Sequence, residues 1–474
     1  MEQPSKIFKV LIYTLVFFAG FANLATEIIG PRLVASLFGS TTIIWAIIIS
    51  VTLVGISVGY FLGGRVPHKL VIRFLPVILI ANAIWLLAIS WFIWSLPADV
   101  ASVGYLAIGV TATAAFFPPA VLFSMLSPLA ISLISANRPA ETISRDVGNI
   151  YAIGTLGSVL GALAAAFLLI PWVGLSSSLR LFSVGAVLFA IIFLTPRLRW
   201  LGAALLIAVT LFPFPSFRRG EAENLILLAQ REGYYQTIRV YTDNSTFISM
   251  DLGPTFHTAM RLSDQEPLYK YATEMIALAG DVKGKDILII GGAGHTQARV
   301  LERRGARVTE VEIDPFVVEL SDQFFGKMAG AVIVTDGRAY LEQNSQAKYD
   351  LILVDAFDGL ASAPVQLTTQ EFFIAVDRTL KPGGRLIYNF IGVPQGAKSN
   401  SFRALAATMS SVFADVRASH MEGERLTNLI LIASQSVMSD IAFPAAPQEG
   451  VILTDDLNPI EIFYEQARAG AYFQ

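Results

Sequence analysis

The sequence contains no cysteine. Disulfides, thiolate metal sites and cysteine nucleophiles are therefore excluded, while the compartment is left open. It contains four histidines, at 68, 257, 295 and 420, with no ligand spacing, so no metal site is expected. Charge is also scarce, at 15% of 474 residues, and it is unevenly spread. Residues 1–215 hold 16 charged side chains and residues 216–474 hold 55. An ordinary soluble domain is ~25% charged. A single soluble enzyme, a disordered chain and a fibrous chain are thus excluded. The pattern predicts a membrane domain over 1–215 fused to a soluble part of 259 residues, long enough to bury a full core. The net charge splits into +6 before residue 216 and −9 after it. An acidic soluble half argues against a nucleic-acid partner and suits a cationic substrate.

Apolar runs at 10–29, 41–64, 74–94 and 150–173 are long enough to cross a bilayer, which takes about 20 helical residues. The first is too long for a cleavable signal, and further spans follow it. The run 103–134 exceeds one straight span, and Pro118-Pro119 predicts a kink in it. The run 175–194 is a weaker span, and 200–214 is short enough to span or to lie in the interface. Six to seven spans result. With the N-terminus inside, nine basic residues fall in inside loops and two, Arg32 and Arg180, outside. An inner-membrane, multi-pass protein is expected, with its soluble domain in the cytoplasm. That requires an even number of spans. Glu27, near the end of the first span, reads either as a functional intramembrane acid or as an interfacial partner of Arg32.

In the soluble half, 216–262 has a hairpin pattern: a β-rich run from Tyr234 to Tyr241, a turn at Asp243-Asn244 and a second strand from Thr246 to Met250. An amphipathic helix is expected over 267–279. Then Asp286-Ile287-Leu288-Ile289-Ile290 reads as a buried strand. It runs into Gly291-Gly292-Ala293-Gly294-His295 and a helix from Thr296. Strand, glycine turn and helix make the nucleotide-binding unit of a doubly wound α/β sheet. A second strand ends at Glu312-Ile313-Asp314, where a carboxylate can grip both ribose hydroxyls. A third strand ends at Asp336-Gly337, and a fourth at Asp355-Ala356-Phe357-Asp358-Gly359. A turn and strand follow at 381–388. All these acids fall at the carboxyl ends of strands, where such sheets bind ligands. The turn has no Lys-Ser/Thr for a triphosphate and no basic group for a pyrophosphate. An adenosine without phosphates, as in S-adenosylmethionine, fits better.

Four stretches resemble the polyamine aminopropyltransferases, the spermidine synthases: Tyr235-Gln236, Ile290 to Gly294, Val311 to Asp314, and Val354 to Gly359. Leu367-Thr368-Thr369-Gln370-Glu371-Phe372-Phe373 adds to the likeness, which covers about 216–460. The N-terminal half is similar to that of membrane-fused homologues at Pro31-Arg32-Leu33, Phe38-Gly39-Ser40 and Tyr151 to Gly157. Leu453 to Pro459 carries the likeness at the other end. The fold implied is a membrane α-helical bundle (1–215), a small β-hairpin subdomain (216–262) and a Rossmann-like sheet of the S-adenosylmethionine-methyltransferase type (263–474).

The resemblance implies a membrane-bound transferase of polyamine biosynthesis. It would move an aminopropyl group from decarboxylated S-adenosylmethionine to an amine such as putrescine, releasing methylthioadenosine. By the resemblance, Asp355 is the general base. Gln236, Gly291, Gly292, Glu312, Asp336 and Gly337 hold the donor, and Asp358, Tyr235 and Tyr269 hold the acceptor. The donor is a co-substrate, and no permanent cofactor is expected. The partners expected are a small amine and the lipid bilayer, with a homo-oligomer left open. The family's pattern is departed from in three places. Gly294 stands where the family has the aspartate that receives the donor's amine. Met250-Asp251-Leu252-Gly253 replaces a Leu-Asp-Gly. Tyr269-Lys270-Tyr271 replaces a Tyr-His-Glu. Without the turn aspartate, poor discrimination between the decarboxylated and ordinary donors is expected, unless Asp264, Asp455 or Asp456 stands in. Two other readings remain: a methyltransferase acting on a lipophilic acceptor, and a transporter with a degenerate sensor domain.

Overall fold

The computed structural model describes residues 5–38, 42–96, 105–135, 140–213, 225–253, 255–345, 349–357, 362–419 and 422–468. The chain divides into two compact units.

The first unit is all helix: α1 (Lys6–Phe38), α2 (Thr42–Gly63), α3 (His68–Ser95), α4 (Tyr105–Ser135), α5 (Ala140–Ala164), α6 (Leu175–Phe193) and α7 (Arg199–Leu211). Six of these are long and apolar enough to cross a membrane. Helix α7, with 13 residues, is about 20 Å long at 1.5 Å per residue, against a hydrocarbon core of about 30 Å. The run expected to kink at Pro118-Pro119 is a single helix, and it also takes in Pro128. Helix α5 widens into π geometry over Ala165–Val173. Pro171 lies inside that segment and has no N–H to give to the ladder, and the N–H of Gly174 bonds back five residues to Leu169.

These helices meet through close backbone contact at small residues. Gly55, Gly59 and Gly63 form one stripe of α2 against α4, and a Cβ on Gly59 would fall 2.4 Å from the Val121 carbonyl oxygen. Gly157 and Gly161 of α5 meet α1 in the same way, at the carbonyls of Phe17 and Phe21. Glu27 is buried within the bundle, and its side chain bonds that of Thr52 on α2.

The second unit opens with more than the hairpin expected. It is a four-stranded antiparallel meander: β1 (Ile226–Glu232), β2 (Thr237–Thr242), β3 (Phe247–Leu252) and β4 (Thr255–Arg261). Strands β2 and β3 are the hairpin. The outer pair carries weaker β-signals, Ala-Gln-Arg-Glu in β1 and His-Thr-Ala in β4, and is held by the partner strands on either side.

After α8 (Lys270–Leu278) comes a seven-stranded sheet of β5 (Asp286–Ile290), β6 (Arg307–Glu312), β7 (Ala331–Val334), β8 (Tyr349–Val354), β9 (Leu380–Gly392), β10 (Asp415–Ala418) and β11 (Thr427–Ser434). The spatial order is β10-β11-β9-β8-β5-β6-β7. Strands β5 to β9 pair in parallel, and β11 and β10 join antiparallel at one edge. Helices α9 (Thr296–Arg303), α10 (Pro315–Phe324), α11 (Gly337–Gln343), α12 (Gln370–Thr379) and α13 (Asn400–Ser410) connect or cover the strands. This is the Rossmann-like architecture expected. The strand pleat sorts the core. Leu288 and Ile290 pack on one face with Ile352, Val354, Phe372 and Phe402, and Ile287 and Ile289 pack on the other with Leu351, Leu353, Met275 and Leu301. The chain goes from β5 out to β6 and β7, then returns to lay β8 on the far side of β5. That reversal opens a crevice beyond the carboxyl ends of β5, β6 and β8.

Candidate active site

A cavity occupies this crevice. It is built around the turn after β5. Gly291 has φ +89°, and a Cβ there would fall 2.4 Å from the carbonyl oxygen of Asp355. Only glycine fits both conditions. The turn is tied on both sides: the N–H of Gly291 donates to the Val311 carbonyl, and that of Asp355 to Ile290, each at 2.9 Å. Gly292 donates its N–H to Glu312 Oε2 at 3.1 Å, and Asp314 donates to Glu312 Oε1 at 3.0 Å. Burial pushes the Glu312 carboxyl up, and these backbone donors hold it back.

Asp355 follows directly on β8. Gln297 Nε2, in the first turn of α9, donates to its Oδ2 at 2.6 Å. Asn389 Nδ2, on β9, donates to its Oδ1 at 2.8 Å. The Tyr271 hydroxyl bonds the His257 carbonyl at 2.8 Å and also reaches Asp355. Burial pushes Asp355 up to about 6 against these three donors. Asp336 caps α11 through the N–H of Ala339 at 2.9 Å, and a Cβ on Gly337 would strike Ile290.

The cavity wall takes in Asp355, Gln236, Gly291, Gly292, Glu312, Asp336 and Gly337, seven of the expected site residues. Tyr235 and Tyr269 are not on it. The Tyr269 ring stacks on Tyr271, at 6.0 Å between centroids, and it is Tyr271 that reaches the cavity. The register of α8 decides this, because the helix starts at Lys270 and the tyrosine in its first turn lines the cavity. Asp358 lies outside the described residues. The site also holds Gln297, Asn389 and Glu310, which were not foreseen. Asn389 left a signal, as a polar residue inside the apolar run Ile387 to Phe390. So did Glu310, which shares a pleat face with Glu312.

Residues 266–422 match the family described as the spermine/spermidine synthase domain. The match lies within the second unit. The chain is also similar to curated proteins. The probable polyamine aminopropyl transferase of Bifidobacterium longum is 33% identical over 168 residues, 35% of this chain and 37% of that one. The polyamine aminopropyltransferase of Corynebacterium efficiens is 26% identical over 291 residues, 55% of each. The chain thus spans between a third and just over half of these relatives' length. A solved probable spermidine synthase from Corynebacterium glutamicum is 26% identical, with a TM-score of 0.40, covering 44% of this chain and 81% of that one.

Proposed function

We propose that the synthase domain transfers an aminopropyl group from decarboxylated S-adenosylmethionine to a small amine such as putrescine. The observation that carries this reading is the half-buried carboxylate of Asp355, held by two amides beside the glycine turn, in a cavity lined by four acids. Those acids are Glu310, Glu312, Asp336 and Asp355, and no Lys or Arg lines the cavity among the described residues. Both substrates are cations, and the cavity is anionic. Glu312 would hold the ribose hydroxyls, Asp336 and Gly337 the adenine end, and Gln236 would close over the donor from the meander.

A protonated amine has no free electron pair, so a carboxylate must first take its proton. Asp355 would accept it. The nitrogen pair then attacks the methylene carbon beside the sulfonium. The new C–N bond forms as the C–S bond breaks, and its electrons return to sulfur as neutral methylthioadenosine. Mass spectrometry of the turnover mixture tests the reading. Methylthioadenosine and spermidine are expected from putrescine, whereas S-adenosylhomocysteine would overturn it in favour of methyl transfer.

The base must be ionised to work, so activity is lost as pH falls through the Asp355 value of about 6. A pH profile of kcat/KM is expected to rise across pH 5–7 with that midpoint, about two pH units above an ordinary aspartate. A flat profile over that range removes Asp355 as the titrating base.

We further propose that the six long helices place the synthase domain in the cytoplasm, where the donor is made. An even number of spans returns the chain to the side of its N-terminus, and the basic loops favour that side inside. A reporter active only in the periplasm, fused after Gln474, is expected to be silent. Activity there would reverse the orientation.

A further inference from the structure

One acid in the cavity has no part in the chemistry above. Glu310 precedes Glu312 by two residues on β6, so the pleat turns both side chains to the same face. It is 1% exposed and lines the cavity. It lies against the glycine turn: a Cβ on Gly292 would fall 2.0 Å from its Cδ. Its Oε1 is 2.5 Å from Nδ1 of the buried His295, and Nε2 of that ring stands 3.4 Å from Asp322 Oδ1. Lys327 lies beyond, 3.8 Å from Asp322. Burial pushes Glu310 up to about 7, and His295 opposes the shift. Burial alone would lower His295, but the two carboxylates overcome it and raise it. An imidazolium between two carboxylates leaves those three groups net negative, and Lys327 pairs with the outer one, Asp322, rather than with Glu310. Buried ion pairs are weak sources of stability, so this one calls for another role.

A second observation points to what the cavity takes. Gln297 is 7% exposed and lines the same wall. It commits Nε2 to Asp355, and its Oε1 makes no hydrogen bond among the described residues. An acid and an open carbonyl oxygen both ask for donors, and no lysine or arginine lines the cavity among the described residues to supply them. The occupant must bring its own N–H groups and positive charge. The other acids considered from the sequence are engaged elsewhere. Asp264 pairs with Arg261 at 2.5 Å, and Asp455 grips Arg338 with both oxygens. Neither they nor Asp456 line the cavity.

We propose that Glu310, held in place by His295, selects a donor whose tail ends in a bare ammonium over the same donor carrying a carboxylate beside it. This rests on the aminopropyl reading. An ammonium gains a charge-assisted hydrogen bond, while a tail carboxylate faces a like charge in a dry site. On this proposal the chain prefers the decarboxylated donor although Gly294 has no side chain to select it.

Titration calorimetry of the full chain tests it with three ligands: decarboxylated S-adenosylmethionine, S-adenosylmethionine, and methylthioadenosine, which has no charged tail. The wild-type protein is expected to prefer the decarboxylated donor by at least ~10-fold, the low end of a charge-assisted bond. A smaller preference overturns the proposal without recourse to any variant. Glu310→Gln is expected to weaken the decarboxylated donor by roughly 10- to 150-fold and leave methylthioadenosine within about threefold, well under one charge-assisted bond. If methylthioadenosine binds both proteins and the preference survives the substitution, Glu310 is not the selector and the aminopropyl reading stands. If the wild-type protein does not bind methylthioadenosine, the reading itself fails, and the proposal with it.

Discussion

Replacing Asp355 with Asn is expected to lower turnover by roughly 10²–10⁴-fold, the usual worth of a positioned general base, if Asp355 is the base proposed above. The geometry makes this a clean substitution. The carboxylate accepts one N–H from Gln297 and one from Asn389. An asparagine keeps one acceptor and turns an amide nitrogen toward one of those neighbours. That neighbour meets it by rotating its own amide, because Gln297 Oε1 and Asn389 Oδ1 make no hydrogen bond among the described residues. The cavity keeps its shape, and methylthioadenosine affinity is expected to stay within about threefold, since no charge-assisted bond to it is lost. Steady-state turnover and ligand titration on the same preparation check both halves. Wild-type turnover in Asp355→Asn would take this residue out of the mechanism.

Glu312→Ala is expected to abolish useful donor binding. Two charge-assisted hydrogen bonds to ribose hydroxyls contribute about 1.5–3 kcal/mol each, so affinity for methylthioadenosine falls by roughly 10²–10⁴-fold. The same carboxylate receives the N–H groups of Gly292 and Asp314, so its loss also frees the glycine turn. Melting temperature is therefore measured alongside binding. Each buried N–H left without a partner costs about 1–3 kcal/mol. Unchanged methylthioadenosine affinity in a folded Glu312→Ala protein would place the ribose elsewhere.

Much of this site could be read before any fold was known. Strands β5 and β8 are short and largely apolar, β6 mixes polar and apolar residues, and each runs into a residue that apolar packing does not explain. Position at a strand end then places Gly291, Glu312 and Asp355 together, because the parallel strands of such a sheet open at one edge. The long apolar helices were equally legible, since a run of about twenty or more apolar residues with few charges shows in the sequence itself. The outer strands of the meander were not. Their sequences are mixed, and only pairing with β2 and β3 keeps them extended.

The sequence by itself therefore determined the two-part organisation, the long apolar helices, six to seven of them, and the line of acids along the sheet. Each follows from local composition or from a strand's own direction. Tertiary structure alone decided which groups surround those acids. Gln297 is 58 residues from Asp355 and Asn389 is 34, and β8 and β9 bring them together only by crossing back beside β5. It also chose Tyr271 over Tyr269, through the register of one helix. Finally, it set His295 against Glu310 at 2.5 Å, in space that exists only because Gly292 has no side chain. A pattern along the chain states which residue types are available. Which of them meet depends on strand order, pleat phase and packing clearance, and these arise only when distant segments close on one another.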